Sequence, residues 1–424
     1  MNHTTLLQNV RLFDPSSDLH NQRVEILIKD GIIEAMGEGL GMAAAELIDG
    51  NDAYVSLGWM DAFGFCPDPG EPWKESLTSY ADAAQRGGFT HVAALCGSSP
   101  KADNESVIAQ VKQMGELQRA ALMPWGLASA QGEGKEMAEV YEMHVAGAVA
   151  FTDGIHGSPS LGLRTKLMQY CASLDLKYAH FPYQKSLAPD GKMHEGSVNA
   201  TLGFKGIPAV SETVELLADI ELAKHLGCGI SVLGVSSAES VAAIRKAKAE
   251  GVDIVAAVPV MNLFFTDDSL TDFDENLKVL PPLRSDEDRK ALLKGLLDGT
   301  LTAVISNHQP EDIESKKVEF DYAAWGAATL EITFPMMCRA FEHERPENWV
   351  PLLYRGSRQF LGMEGNALVV GSQADLTLFQ IDGDAEGAHV SQKSRAYNIP
   401  RTEKALKGRV VGTIRKGCYM KNHD

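Results

Sequence analysis

The chain has 424 residues, 44% hydrophobic and 23% charged, with a formal net charge of -18 and a pI near 5.1. That acidity argues against a nucleic-acid or anionic-membrane surface, where phosphates would repel it. No apolar run approaches the ~18 residues of a membrane span, and the opening MNHTTLLQNVRLFDP has no basic segment ahead of an apolar core. The six cysteines (Cys66, Cys96, Cys171, Cys228, Cys338, Cys418) include no CxxC pair, so a cytoplasmic chain with reduced thiols is expected.

In chain order, LLQNVRLFDPSSDLHNQRVEILIKDGIIEAMGEGL alternates apolar and polar residues around a KDG turn, a β-hairpin pattern. From residue 55 short apolar runs alternate with segments of helical period. The runs are VSLGWMDAFGF, THVAAL, ALMPWGLAS, GAVAFTD, KYAHF, GISVLGVSS, DIVAAVPV and TAVISN. Continuous apolarity suits parallel strands covered on both faces. Several helical segments start on Ser or Asp and end on Gly, as SSAESVAAIRKAKAEG and DEDRKALLKGLLDG do. Eight such units predict an α/β chain built as a (β/α)8 TIM barrel, although a doubly wound sheet shares the alternation.

The tail returns to strand patterns in NALVVGSQADLTLFQID and KALKGRVVGTIRKGCYMKN. The two ends, residues 1–54 and 366–424, are expected to pair into one small β-sandwich domain flanking a barrel of residues 55–365. The glycine-rich MGEGLGM and SAQGEGKEM match neither phosphate-loop spacing and read as turns. Pro182 and Pro189 mark a long loop over the barrel mouth.

The first barrel run ends at Phe63 and Phe65, where barrel enzymes keep catalytic side chains. Neither ring can bind a metal or move a proton. Around this ledge the chain resembles dihydroorotases of the amidohydrolase superfamily, the type that associates with aspartate transcarbamoylase. The likeness is carried by LFDPSS, KDGIIEAMG, GWMDAFGF…PGEPWKESLTSYADAAQRGGFTHV, GAVAFTDG, VLPPLRSDEDRKAL, ISNHQPEDIESKK…FDYAAWGAATLEITFP, GSQADLTLF and KSRAYNIPRTEKALKGRVVGTIRKG. It spans almost the whole chain and implies the amidohydrolase barrel with its accessory β-domain.

The resemblance also implies a chemistry. A zinc-held hydroxide opens a cyclic amide, since zinc brings a bound water's pKa near 7, and a strand-eight aspartate serves as acid/base. At the matching positions stand Phe63 and Phe65 for the HxH pair, Asp153 on strand four, His180 on strand five, Gly234 on strand six and Asn307 on strand eight. The substrate-carboxylate positions hold Pro67, Gly97 and Glu311, and Leu280 replaces a usually polar residue. Asp153 and His180 are the only candidate metal ligands in this set. No cofactor is therefore expected, and zinc only if the site is a non-standard working one.

Plainer roles stand beside these. Phe63 and Phe65 fill volume; Asp153 and His180 are relics held by local hydrogen bonds; His308 is a core or pocket histidine. His156 and His194 are expected exposed on loops, and Glu311, Asp312 and Glu314 form a solvated acidic face. Cys66 has no readable base. Two functions follow: an inactive dihydroorotase-like partner of a pyrimidine-pathway protein such as aspartate transcarbamoylase, or a functional dihydroorotase or related cyclic amidohydrolase. A metabolite sensor at the barrel mouth is a third. The chain is expected to be a homo-oligomer without nucleic-acid or membrane partners.

Overall fold

The computed structural model describes residues 4–41, 46–155, 159–363, 365, 367–385, 392–402 and 406–422. Parallel strands Trp59–Cys66, Phe89–Cys96 and Ala121–Trp125 pair in that order. The fourth run is reduced to Phe151, which bridges Gly126 on one side and Tyr178 on the other. Ala179–His180, Ile230–Val232, Ile254–Pro259 and Ala303–Ile305 continue the sheet. Backbone bonds from Asn307 N to Phe63 O (3.2 Å) and Phe65 N to His308 O (2.7 Å) return it to the first strand. Eight segments thus follow one another around a ring in chain order.

Helices cover the outside. Their starts are set by side chains that accept the free backbone N–H groups: Ser76 for Leu77–Arg86, Asn104 for Glu105–Glu116, Ser160 for Leu161–Ser173, Ser237 for Ala238–Ala249 and Ser285 for Asp286–Leu297. Val210–Leu226 ends on Gly227 at φ 66°, a left-handed turn that glycine adopts without strain. The helix expected over GKEMAEVYEMHVAG is shorter, Val140–Ala146. Its first half instead doubles back on residues 128–130, just beyond strand three, with Ala130 N bonded to Glu136 O and Ala138 N to Ala128 O.

Both chain ends build one seven-stranded sheet. Its order is Cys418–Lys421, Lys407–Arg415, Leu376–Asp384, Glu46–Leu57, Thr4–Leu12, Arg23–Lys29 and Ile32–Gly37. All neighbours are antiparallel except Thr4–Leu12 with Glu46–Leu57. Inward side chains such as Val10, Ile26, Ile28, Val55 and Leu376 form a core separate from the barrel's. The barrel's core reaches the sheet at Trp59, whose indole packs on Phe334 and on Phe379 of strand Leu376–Asp384 and donates to Ser56 Oγ at 3.0 Å. Among the described residues no helix is long and apolar enough to cross a membrane.

Candidate functional site

The strand ends that form the barrel mouth carry the residues singled out from sequence. Phe63 is fully buried and Phe65 nearly so. Their rings meet edge to face at 4.9 Å, and Phe63 meets Trp125 the same way at 5.3 Å. This is the geometry favoured by opposed ring quadrupoles. Burying each ring contributes roughly 1.5–3 kcal/mol.

Gly234 lies beyond the sixth strand at φ 71°, and a Cβ placed on it would stand 2.4 Å from Phe181 Cε2. Phe181 therefore occupies the room that a strand-six side chain would use. Asn307, itself at φ 49°, turns its Nδ2 onto Leu280 O at 3.1 Å. The amide closes a backbone contact and Leu280 is buried beside it.

Asp153 and His180 keep polar atoms in this setting. Asp153 accepts from Ser129 N and Ser129 Oγ, both at 2.8 Å. Burial pushes its carboxyl up despite those bonds. His180 Nδ1 pairs with Asp219 Oδ2 at 2.6 Å, and Arg164 bonds Asp219 Oδ1 at 2.6 Å and also Glu215. Burial would raise the Asp219 carboxyl, but His180 and Arg164 outweigh it and hold it below the usual range. His180 Nε2 is buried without a hydrogen-bond partner.

Zinc in such a site takes four donors. One free imidazole nitrogen, one carboxylate already held by Ser129 and three phenyl rings (Phe63, Phe65, Phe181) do not make that set. Among the described residues no three His, Cys, Asp or Glu side chains converge as a metal-binding group. The residues present do not fit a four-coordinate zinc.

Pro67, Gly97 and Glu311 come together around a cavity of about 220 Å³ at the mouth, floored by Phe65, Leu95 and Leu127. Here two expectations need correction. Glu311 is not on a solvated face: its side chain is 12% exposed and ion-paired with Lys74 at 2.9 Å. Burial nevertheless pushes its carboxyl up, against the pull of Lys74. The pocket also carries positive charge, which the reading of Pro67 and Glu311 as replacements for the family's carboxylate-binding residues did not anticipate, because Lys74 and Lys101 both line it. Lys101 Nζ donates to Gln131 O at 2.7 Å. Sequence reading missed these lysines because neither stands at one of the substrate-carboxylate positions the resemblance marks; only folding brings them to the cavity.

The other histidines divide. His308 is buried, its Nδ1 accepting from Thr329 N at 2.9 Å, with Tyr80 edge-on at 5.1 Å. That fits the core role. His194, expected exposed, is half-buried, with Nδ1 3.2 Å from Arg284 Nη1; burial and that guanidinium lower its pKa. His156 lies outside the described residues. The loop after strand five reaches across to the loop after strand eight, where Lys192 Nζ bonds Asp321 O at 2.9 Å.

Comparison with known proteins then decides the kinship. Residues 67–240 match a sequence model described as dihydro-orotase-like. A dihydroorotase of Pelotomaculum thermopropionicum is 33% identical over 412 residues, covering 96% of both chains. One of Syntrophus aciditrophicus is 32% identical over 426 residues, covering 99% of both.

The chain belongs to the dihydroorotase family. Among solved structures, this dihydroorotase relative superposes on the L-hydantoinase (dihydropyrimidinase) of Arthrobacter aurescens with a TM-score of 0.84. The identity is 23%, over 99% of this chain and 96% of the other. The dihydropyrimidinase of Brevibacillus agri gives 0.80 at 17% identity, over 98% and 94%. These likenesses carry the amidohydrolase barrel fold.

Proposed function

We propose that this dihydroorotase-family chain is a cytoplasmic protein without dihydroorotase activity, retained as a structural or regulatory partner of a pyrimidine-pathway protein such as aspartate transcarbamoylase. The observation that carries the reading is the packing at the mouth. Phe63 packs on Phe65 and Phe181 packs against Gly234, and none of these rings has a lone pair to offer at the positions where the resemblance expects metal ligands. An acid/base also needs a group that exchanges a proton near neutral pH, and the Asn307 amide engaged with Leu280 O is not one.

The rival reading, a working dihydroorotase or related cyclic amidohydrolase, is favoured by the names of the curated relatives and by the unpartnered His180 Nε2. Metal analysis of the purified chain with a dihydroorotate turnover assay separates the two. We expect no stoichiometric zinc and turnover at background; one zinc per chain with turnover above background reverses the assignment. Size-exclusion of the chain mixed with the aspartate transcarbamoylase of the same organism is expected to show co-elution. Separate elution at micromolar concentrations removes the partner half of the reading.

A further inference from the structure

Two of the six cysteines, dispersed in sequence, become neighbours in the fold. Cys66 and Cys96 are register partners at the ends of the first two barrel strands. Adjacent parallel strands lie ~4.8 Å apart and their partnered side chains point to one face. That spacing falls within the ~4.4–6.8 Å between Cα atoms that a disulfide spans. The Cys96 thiol is close enough to help burial disfavour ionisation of Cys66, and Cys96 Sγ also makes a weak contact with Ala94 O at 3.5 Å. Cys66 lines the mouth cavity of about 220 Å³, while Cys96 lies behind it.

We propose that Cys66 and Cys96 form a dithiol oxidation site in which hydrogen peroxide, entering through the mouth cavity, converts the pair to a disulfide that ties the first two barrel strands together. The cavity limits the oxidant. A peroxide of two oxygen atoms reaches Cys66, whereas a peptide-sized disulfide does not.

In the first step the Cys66 sulfur, as thiolate, attacks one peroxide oxygen and the O–O bond breaks. The departing hydroxide takes up the thiol proton as water. In the second, the Cys96 sulfur attacks the sulfenic sulfur of Cys66, the S–S bond forms, and the hydroxyl leaves with the Cys96 proton as water. Two thiols give up two electrons to one peroxide, yielding one disulfide and two waters. Desolvation of Cys66 disfavours its thiolate, which makes the reaction slow; Cys96 as immediate neighbour makes the second step fast relative to further oxidation.

The test uses the full chain carrying Cys418→Ser, since Cys418 is exposed and would cross-link copies. After hydrogen peroxide treatment and quenching, the remaining thiols are alkylated in denaturant and the protein is digested without reductant. We expect loss of two thiols, a linked peptide joining Cys66 to Cys96 that dithiothreitol releases, and a melting temperature raised by a few degrees. The linked peptide disappears in Cys96→Ser, where Cys66 proceeds to sulfinic acid. Full thiol count after prolonged exposure of the folded protein, or sulfinic acid on Cys66 with Cys96 present, overturns the proposal. So does a disulfide between any other pair.

Discussion

At the residue scale, the most consequential position is Gly234. Its left-handed backbone and the 2.4 Å approach of Phe181 to its missing Cβ both exclude a side chain. Gly234→Ala is expected to destabilise the protein by roughly 2–4 kcal/mol, summing the strain of a non-glycine residue at positive φ and overpacking. Phe181→Ala in the same chain relieves the steric part, so the double variant costs less than the sum of the singles. Urea unfolding of the three variants measures this; strictly additive losses would mean that the ring does not define the space. The family resemblance singled out the glycine as standing at an expected ligand position. It said nothing of Phe181, adjacent to His180 in sequence, because nothing local says which of two consecutive side chains a closing barrel turns toward strand six.

At the element scale, the loop after strand eight is held by two buried lysines. Lys278 Nζ donates to Phe320 O and Ala323 O at 2.7 Å and to Asp321 O at 3.0 Å, under the rings of Phe320 and Trp325. Lys316 Nζ donates to Ala324 O at 2.8 Å and Gly326 O at 2.9 Å. Carbonyl dipoles replace only part of the hydration an ammonium loses, and burial lowers both pKa values to about 8. Below that pH, folded and unfolded chains both hold these protons. Between about 8 and the ordinary 10.5, the unfolded chain binds more protons than the folded one, so this contribution to stability rises with pH. Lys278→Met is expected to flatten the rise in melting temperature over that interval relative to the parent, while lowering the curve overall because three carbonyls lose their donor. An unchanged slope would place the titration elsewhere. The helix cap at Ser237 was readable from local sequence because it is satisfied within one turn, whereas the helix Asp286–Leu297 is capped by Ser285, one residue before the Asp286 on which it was expected to start. The shortened Val140–Ala146 helix was not readable, because antiparallel pairing of residues 136–138 with residues 128–130 outcompetes local helical period.

At the scale of the whole molecule, the ring is closed beside Asp61. This fully buried carboxyl on the first strand accepts from Ser306 N at 2.8 Å and from Ser306 Oγ on the eighth-strand segment. Burial lifts its pKa to about 7 despite those bonds. The folded chain then keeps a proton that the unfolded chain releases near 3.8, so folding binds more protons between these values and stability from this group falls as pH rises through them. Asp61→Asn, which cannot ionise, is expected to remove that component and give a flatter melting curve between about pH 4 and 7. A slope equal to the parent's would remove Asp61 as its source.

The repeating strand–helix grammar, the hairpin patterns at both ends and the family wording were all present in the linear chain. Each depends on residues close together in sequence, or on blocks inherited in order, and together they determined an amidohydrolase barrel with a sheet built from both ends. The family wording also supplied the expectation of which side chains stand at the family's chemical positions. Tertiary structure decided what surrounds those positions: Phe181 against Gly234, Lys74 and Lys101 at the mouth cavity, Glu311 drawn out of solvent, and Cys66 beside Cys96. Those relations join residues tens of positions apart. They arise only when the ring closes, because the neighbour a side chain meets across a barrel is set by strand register and twist, and local preference carries no information about either.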